Sequence, residues 1–171
     1  MADLSMKQFK KAVGYGQRVN KFYIRFPETF AGDNGILSYL VQSTSIPTKG
    51  MGVVTLPWQG VVTRIPGDPE VSGSWNVTFR VDAKNEVYKS IWSWLLSICD
   101  SLTNSRAALE DVIKEIDAQL LDVNLSPVST FKILDVFVTE VGEVTMDYES
   151  ENTIATWNAT FAYSDIAYNF S

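Results

Sequence analysis

Chemistry in this chain would have to run on carboxylates, because it contains no histidine and a single cysteine, Cys99. Without an imidazole there is no base for a catalytic triad, no histidine metal ligand and no switch titrating near neutrality. Two carboxylate pairs, Asp68 with Glu70 and Glu149 with Glu151, have the residue types for general acid–base work. Both lie in turn-forming sequence, where exposed acids are ordinary. Cys99 falls in an apolar row of a predicted helix, where a core thiol is expected rather than a nucleophile. One cysteine permits neither an internal disulfide nor a thiolate metal cage. Gly50 and Gly52 flank Met51 in a hairpin setting and precede no helix, so they make no phosphate cradle. The reading is a non-enzyme with no cofactor and no metal.

The elements that hold these residues follow from length and pattern. The 171 residues, 46% hydrophobic and 12% aromatic, suit one folded domain spanning 1–171 with its own core. A formal charge of −6 argues against a protein that grips phosphate backbones by bulk positive charge. That total hides an asymmetry: residues 1–99 carry +4 and residues 100–171 carry −10. Met1 to Val19 has no apolar core for a signal peptide, and no stretch is long enough to span a bilayer. A soluble protein made in a reducing cytoplasm is expected. The Asn-x-Ser/Thr triplets at Asn76, Asn124 and Asn158 are then coincidental.

Residues 1–18 read as an arm that needs a partner to order it. Phe22, Ile24 and Phe26 alternate with polar neighbours as a strand. Leu37 to Ser45 reads extended and ends at Ile46-Pro47. Val53 to Trp58 and Val61 to Ile65 are β-branched runs separated by Gly60, and Pro57 implies an edge or a bend. Pro66 to Glu70 reads as a turn. Trp75, Val77, Phe79 and Val81 alternate with polar residues as a strand. Asn85 is placed to cap a helix running to about Cys99. That helix has two apolar rows, Val87-Ile91-Trp94-Ile98 and Tyr88-Trp92-Leu95-Cys99, so wide that another subunit is expected over part of it. Leu109 to Leu121 fits either a helix or a strand, with the local period slightly favouring helix. A turn near Asn124 to Pro127 leads to a strand at Val128 to Leu134. Val144 to Tyr148 and Ile154 to Tyr163 flank Glu-Ser-Glu-Asn as a hairpin. The whole is mainly β with one central helix. A lipocalin-like ligand barrel fits this poorly, given the helix and the Pro/Gly-rich connections.

Several segments together resemble the tail tube proteins of contractile-tailed bacteriophages. They are Phe22 to Phe26, Tyr39 to Pro47, Leu56-Pro57-Trp58-Gln59-Gly60 with Ile65-Pro66-Gly67-Asp68, Trp75 to Phe79, and Tyr88 to Leu95. Phe131 to Phe137, Val141 to Val144, Asp147-Tyr148 and Thr153 to Tyr163 resemble the closing strands of that family. Val138 stands where the family often has proline. The resemblance turns Val112 to Leu121 from helix toward strand, in a hairpin with Val128 to Leu134.

The resemblance implies a β-sandwich or barrel-like tail tube fold with one flanking α-helix. It implies a homo-hexamer whose rings stack into a helical tube, with tail sheath, baseplate and tail terminator proteins as partners and no membrane. Double-stranded DNA would pass through the lumen without specific binding. The location would be the virion, after assembly in the host bacterial cytoplasm. Tube proteins of type VI secretion, pyocin-like particles and phage-derived injection systems share the architecture, as do tube-initiating baseplate homologues. A small soluble binding module is the alternative from another class.

Since a basic channel would hold a duplex, an acidic lining is expected to keep it sliding. Glu115, Asp117, Glu143, Asp147 and Glu149 are the positions expected to supply it. Ring stacking is expected from Lys7, Lys10 and Lys11 of the arm and from Ile46, Pro47, Thr48, Lys49, Gly50, Met51 and Gly52.

Overall fold

The computed structural model describes residue 6 and residues 18–27, 36–70, 73–99, 106–146 and 153–170. In chain order, strand β1 (Phe22–Arg25) is followed by a helical turn α1 (Ile36–Leu40) and by β2 (Val41–Thr44), β3 (Gly50–Trp58), β4 (Val61–Glu70) and β5 (Gly73–Arg80). Helix α2 (Glu86–Ile98) and a short α3 (Leu109–Val112) then lead to β6 (Lys114–Leu121), β7 (Pro127–Val141), β8 (Thr156–Tyr163) and β9 (Asp165–Phe170). Most of the strands form one 7-stranded sheet in the order β1-β6-β7-β8-β5-β2, with β9 also paired to β7. Every pairing is antiparallel.

The sheet folds back on itself at β7. Residues Ser129 to Leu134 pair with β9, and Phe137 to Val141 run alongside β8. Between them Asp135 adopts a left-handed conformation, φ 54°. Inward-facing residues then slip phase, from Ile133 to Val136 and Val138, all buried. One extra residue of this kind bends a strand and re-aims its side chains, so β7 serves two layers. The layer of β1, β6 and β9 contributes Ile24, Ile116, Ala118 and Ile166 to the core, and the layer of β5 and β8 contributes Trp75, Val77, Phe79, Trp157, Ala159 and Phe161. Phe26 joins them, with ring centroids 5.8 Å from Phe79 and 6.3 Å from Phe161. Helix α2 closes the sandwich, placing Trp94 against Phe161 and Tyr88 against Trp157.

The structure gives β6 as a strand, with Ile116 and Ala118 buried as the strand pattern requires. Other expectations are corrected. Leu37 to Ser45 is not extended throughout. The turn α1 buries Leu37 and lets the Ser38 hydroxyl accept the Phe26 N–H at 3.3 Å, and only then does β2 begin. Pro66 to Glu70 is strand, not turn, and lies opposite Gly50 to Val53. In a two-stranded ribbon half of the N–H groups point away from the partner, so prolines fit there. Gly67 also meets Gly52 so closely that a Cβ would sit 3.0 Å from its carbonyl group. Asn85 does not cap α2 with its side chain. It occupies a left-handed position, φ 57°, while Asp82 accepts the Glu86 N–H at 2.9 Å and the Val87 N–H at 3.4 Å. Val144 to Met146 is not strand; β8 pairs instead with the end of β7 and with β5. Strand β9 is an addition with no counterpart in the sequence reading.

Candidate assembly and channel surfaces

The β3–β4 hairpin departs furthest from an ordinary globular surface. Its two strands pair only with each other among the described residues. The turn is built on Gln59 and Gly60, both with positive φ (46° and 83°), the mirror-image geometry that matches strand twist. Large apolar side chains stand exposed along it: Val53, Leu56, Val62 and Ile65, with Trp58 72% and Val61 66% exposed. A lone two-stranded hairpin is marginal in water, and apolar residues along its length gain only if something covers them.

The expected stacking residues lie at the root of this hairpin. Ile46 to Lys49 form the connection from β2, and Gly50, Met51 and Gly52 begin β3. The root is strapped to the sandwich at several points. The Trp75 indole N–H donates to the Ser45 carbonyl at 2.8 Å, and the Tyr163 hydroxyl donates to the Thr48 carbonyl at 3.3 Å. Lys49 Nζ pairs with Asp165 at 2.8 Å. That lysine, together with the Ile166 N–H, holds the Asp165 carboxyl below its ordinary range. Lys7, Lys10 and Lys11 lie outside the described residues. The distal apolar part of the hairpin was missed as a site, although its two β-branched runs nearly free of charge were visible in the sequence. Beside the root, a cleft of about 270 Å³ opens between β1 and β2, lined by Phe22, Ile24, Ile46, Ala118 and Leu120. It falls below the size of ordinary small-molecule sites.

Of the five acidic positions, Glu115, Asp117 and Glu143 lie among the described residues. Glu115 and Asp117 share the outer side of β6, where Ile116 and Ala118 face inward. Cations answer them: Glu115 pairs with Lys132 at 3.0 Å, and Asp117 lies in register between Lys132 on β7 and Arg25 on β1. Hydrogen bonding to Glu115, reinforced by the charges of Glu115 and Asp117, raises the Lys132 pKa. Glu143 is exposed just beyond β7, in the connection to β8. Asp147 and Glu149 belong to that connection but lie outside the described residues.

The outer face of β5 and β8 is of another kind. Thr78 donates to Asn158 Oδ1 at 2.8 Å, and Thr160 donates to Asn76 Oδ1 at 2.9 Å. From the flanking β7, Thr139 donates to the Thr160 carbonyl at 3.0 Å, whereas Thr44 of β2, opposite buried Val77, donates to the Asn76 carbonyl at 3.0 Å from the core side. The alternation of β5 and β8 announced a polar face, but not the cross-strand pairing that joins it.

Asp68 and Glu70 are exposed on the hairpin, and Glu149 and Glu151 lie outside the described residues. Cys99 is exposed just past α2, not in the core as expected, because the helix ends one residue before it. Trp92 and Leu96 leave apolar surface on α2. Among the described residues no group of three or more acidic or cysteine side chains is placed to hold a metal ion, and no helix is long and apolar enough to cross a membrane.

Comparison with known proteins gives a consistent picture. The phage tail tube protein family matches residues 8–170. The tail tube protein of Serratia phage KSP90 is 23% identical over 167 residues, covering 93% of this chain and 94% of that protein. The baseplate tail-tube junction protein gp54 of Enterobacteria phage T4 is 30% identical over 87 residues; the match covers 51% of this chain but only 27% of that protein. In structure, the chain is similar to one from the sheath-tube complex of an extracellular contractile injection system, with a TM-score of 0.68, 19% identity, and coverage of 98% and 99%.

Proposed function

This chain belongs to the phage tail tube protein family, and from that premise we propose that its copies close into hexameric rings, stack into a tube and conduct double-stranded DNA. The observation that carries the proposal is the apolar β3–β4 hairpin, which needs a second copy to cover it. A heterologous contact of this kind, one patch on a different patch of the next copy, generates rings and filaments. The cleft between β1 and β2, sized for side chains rather than a small molecule, is one apolar feature available to receive a neighbour. The strapped root from Ile46 to Gly52 would fix the angle at which the hairpin leaves the sandwich and so the spacing of rings. Lys7, Lys10 and Lys11 would add electrostatic contact to acidic groups of the adjacent ring.

Sheath, baseplate and terminator proteins would contact the outside and the ends of such a tube. Channel charge would come from the β7–β8 connection, through Glu143, Asp147 and Glu149. Glu115 and Asp117, already answered by Lys132 and Arg25, would contribute little net potential. Electron microscopy of the purified full chain tests the core of the proposal: long hollow tubes are expected, and a monodisperse monomer at all concentrations overturns it. Replacing Thr48 to Gly52 should leave a folded monomer that does not polymerise. Ion selectivity recorded through assembled tubes should change when Glu143, Asp147 and Glu149 are neutralised together, and stay constant when Glu115 and Asp117 are.

The match to the T4 junction protein favours a second reading, a subunit that starts a tube rather than extends it. Such a chain would form short stacks that grow only when a separate tube subunit is supplied.

A further inference from the structure

We propose that the Asn/Thr face of β5 and β8 is the channel wall, and that its chemistry is non-adhesive toward a DNA duplex because it carries almost no positive charge and the hydroxyl protons of Thr78, Thr160 and Thr139 are already spent. The inference rests on the tube reading and goes further by choosing the face. Two outer sheet faces are available. The face of β1, β6 and β7 carries Arg25 and Lys132 among its acids. The other face is formed by β2, β5, β8 and the end of β7, strands that hold one base, Arg80, and one acid, Glu140.

Topology favours the second face. The hairpin is inserted between β2 and β5, which are paired neighbours in that layer. A layer whose own connection reaches the next ring is the one that continues as a wall along the tube. Its inner side is filled by Trp75, Val77, Phe79, Trp157 and Phe161, with α2 packed on Trp157 and Phe161. On its outer side Asn76 and Asn158 are exposed, and no element among the described residues packs there.

Chemistry then identifies what the face suits. Proteins hold duplex backbones with Lys and Arg and with donors from Ser, Thr, Asn and main-chain N–H groups. Here the hydroxyl protons of Thr78 and Thr160 go to asparagine side-chain oxygens, and that of Thr139 goes to a backbone carbonyl. The face is polar enough to stay wet, carries almost no positive charge and has the hydroxyl donors of Thr78, Thr139 and Thr160 engaged within the sheet. A polyanion meets water and neutral asparagine amides, with almost no cationic charge to hold it, and slides.

The test uses assembled tubes of the full chain with Cys99→Ser, carrying Asn158→Cys or Ala162→Cys on the proposed wall, or Glu115→Cys on the opposite face. A small maleimide should label all three variants. A maleimide carrying a polymer too bulky to enter the tube should label the Glu115→Cys tubes and lose nearly all labelling of the other two. Equal bulky labelling at both faces, or the reverse pattern, overturns the assignment while leaving the tube reading intact. Failure of the parent chain to form tubes removes the tube reading itself. Short duplex DNA should not sediment with parent tubes, but should do so with Asn76→Lys/Asn158→Lys tubes. For two phosphates neutralised, binding should fall about tenfold between 50 and 200 mM salt. Salt-dependent retention by the parent tubes overturns the non-adhesive claim.

Discussion

Replacing Trp58 and Val61 together with threonine keeps β-propensity at the hairpin tip while removing its apolar anchors. Full burial of a side chain of the valine class is worth about 1.5–3 kcal/mol. With 66% of Val61 still exposed in the single chain, covering it leaves about 1–2 kcal/mol to be gained on assembly. Trp58 is 72% exposed, and truncating a buried aromatic anchor costs about 2 kcal/mol or more. Part of this sum is lost to ordering and desolvation. A net of about 3 kcal/mol, at about 1.4 kcal/mol per factor of ten, raises the protein concentration needed for tube formation by about a hundredfold. Sedimentation across a concentration series, with electron microscopy of the pellets, measures this. The monomer should barely notice, because surface substitutions stay within about 0.5 kcal/mol, or roughly 1–2 °C in Tm for a chain of this size. An unchanged assembly concentration with an intact fold would refute the reasoning. So would a Tm loss of many degrees, which would mean that the tip packs within its own chain.

Asp82→Ala should cost about 1 kcal/mol at neutral pH by removing the acceptor for the first turn of α2. Burial pushes the Asp82 pKa up, but bonds from the Glu86 and Val87 N–H groups outweigh it and leave the group below 3.8. Its contribution is therefore fully present above 3.8 and lost as pH falls through the lower folded value, so urea melts of parent and variant should converge in acid. Gly142→Ala should destabilise the β7–β8 junction strongly, since its Cβ would meet the Asn158 carbonyl oxygen at 2.7 Å. Gly73→Ala should be milder because the obstacle at 2.8 Å is the end of the Tyr163 side chain rather than backbone, and parallel thermal melts should rank the two in that order. Glu115→Gln should lower the raised Lys132 pKa, read by NMR titration of its side chain. An unmoved value would mean that the ion pair does not persist in solution.

Most of the fold was legible wherever a strand buries one face. Phe22-Ile24-Phe26, Trp75-Val77-Phe79 and Trp157-Ala159-Phe161 alternate because the core lies on one side only, and all but Phe22 are buried. The errors fall where local pattern and tertiary demand part company. Leu37 is held in the core through a helical turn that its neighbours do not require. Prolines at 66 and 69 argued against a strand, but a ribbon with two edges has room for them. Strand β9 carries only six residues with alternate polar positions, a pattern too short to announce itself. Among the site residues, the hairpin root proposed for ring stacking is marked in the sequence by Ile46-Pro47 and the glycines. The Asn/Thr wall is not, because its bonds join β5 to β8 across some eighty residues of chain.

The same distinction decides how charge should be read. Along the chain, residues 1–99 carry +4 and residues 100–171 carry −10, as though each half owned a surface. Strand pairing undoes that division. Arg25 of the first half lies in register with Asp117 of the second, and Lys49 reaches Asp165. Each exposed pair adds little stability, but together they mix the signs over the β1–β6–β7 face and around the hairpin root. The face with least charge is also shared, with β5 from one half and β8 from the other. A property that only the paired strands possess cannot be assigned from the charge of either half. Because a sheet face alternates with its own core, the residues we propose to meet a sliding duplex are determined by the register of Asn76 with Thr160 and of Thr78 with Asn158, a choice that net charge leaves open.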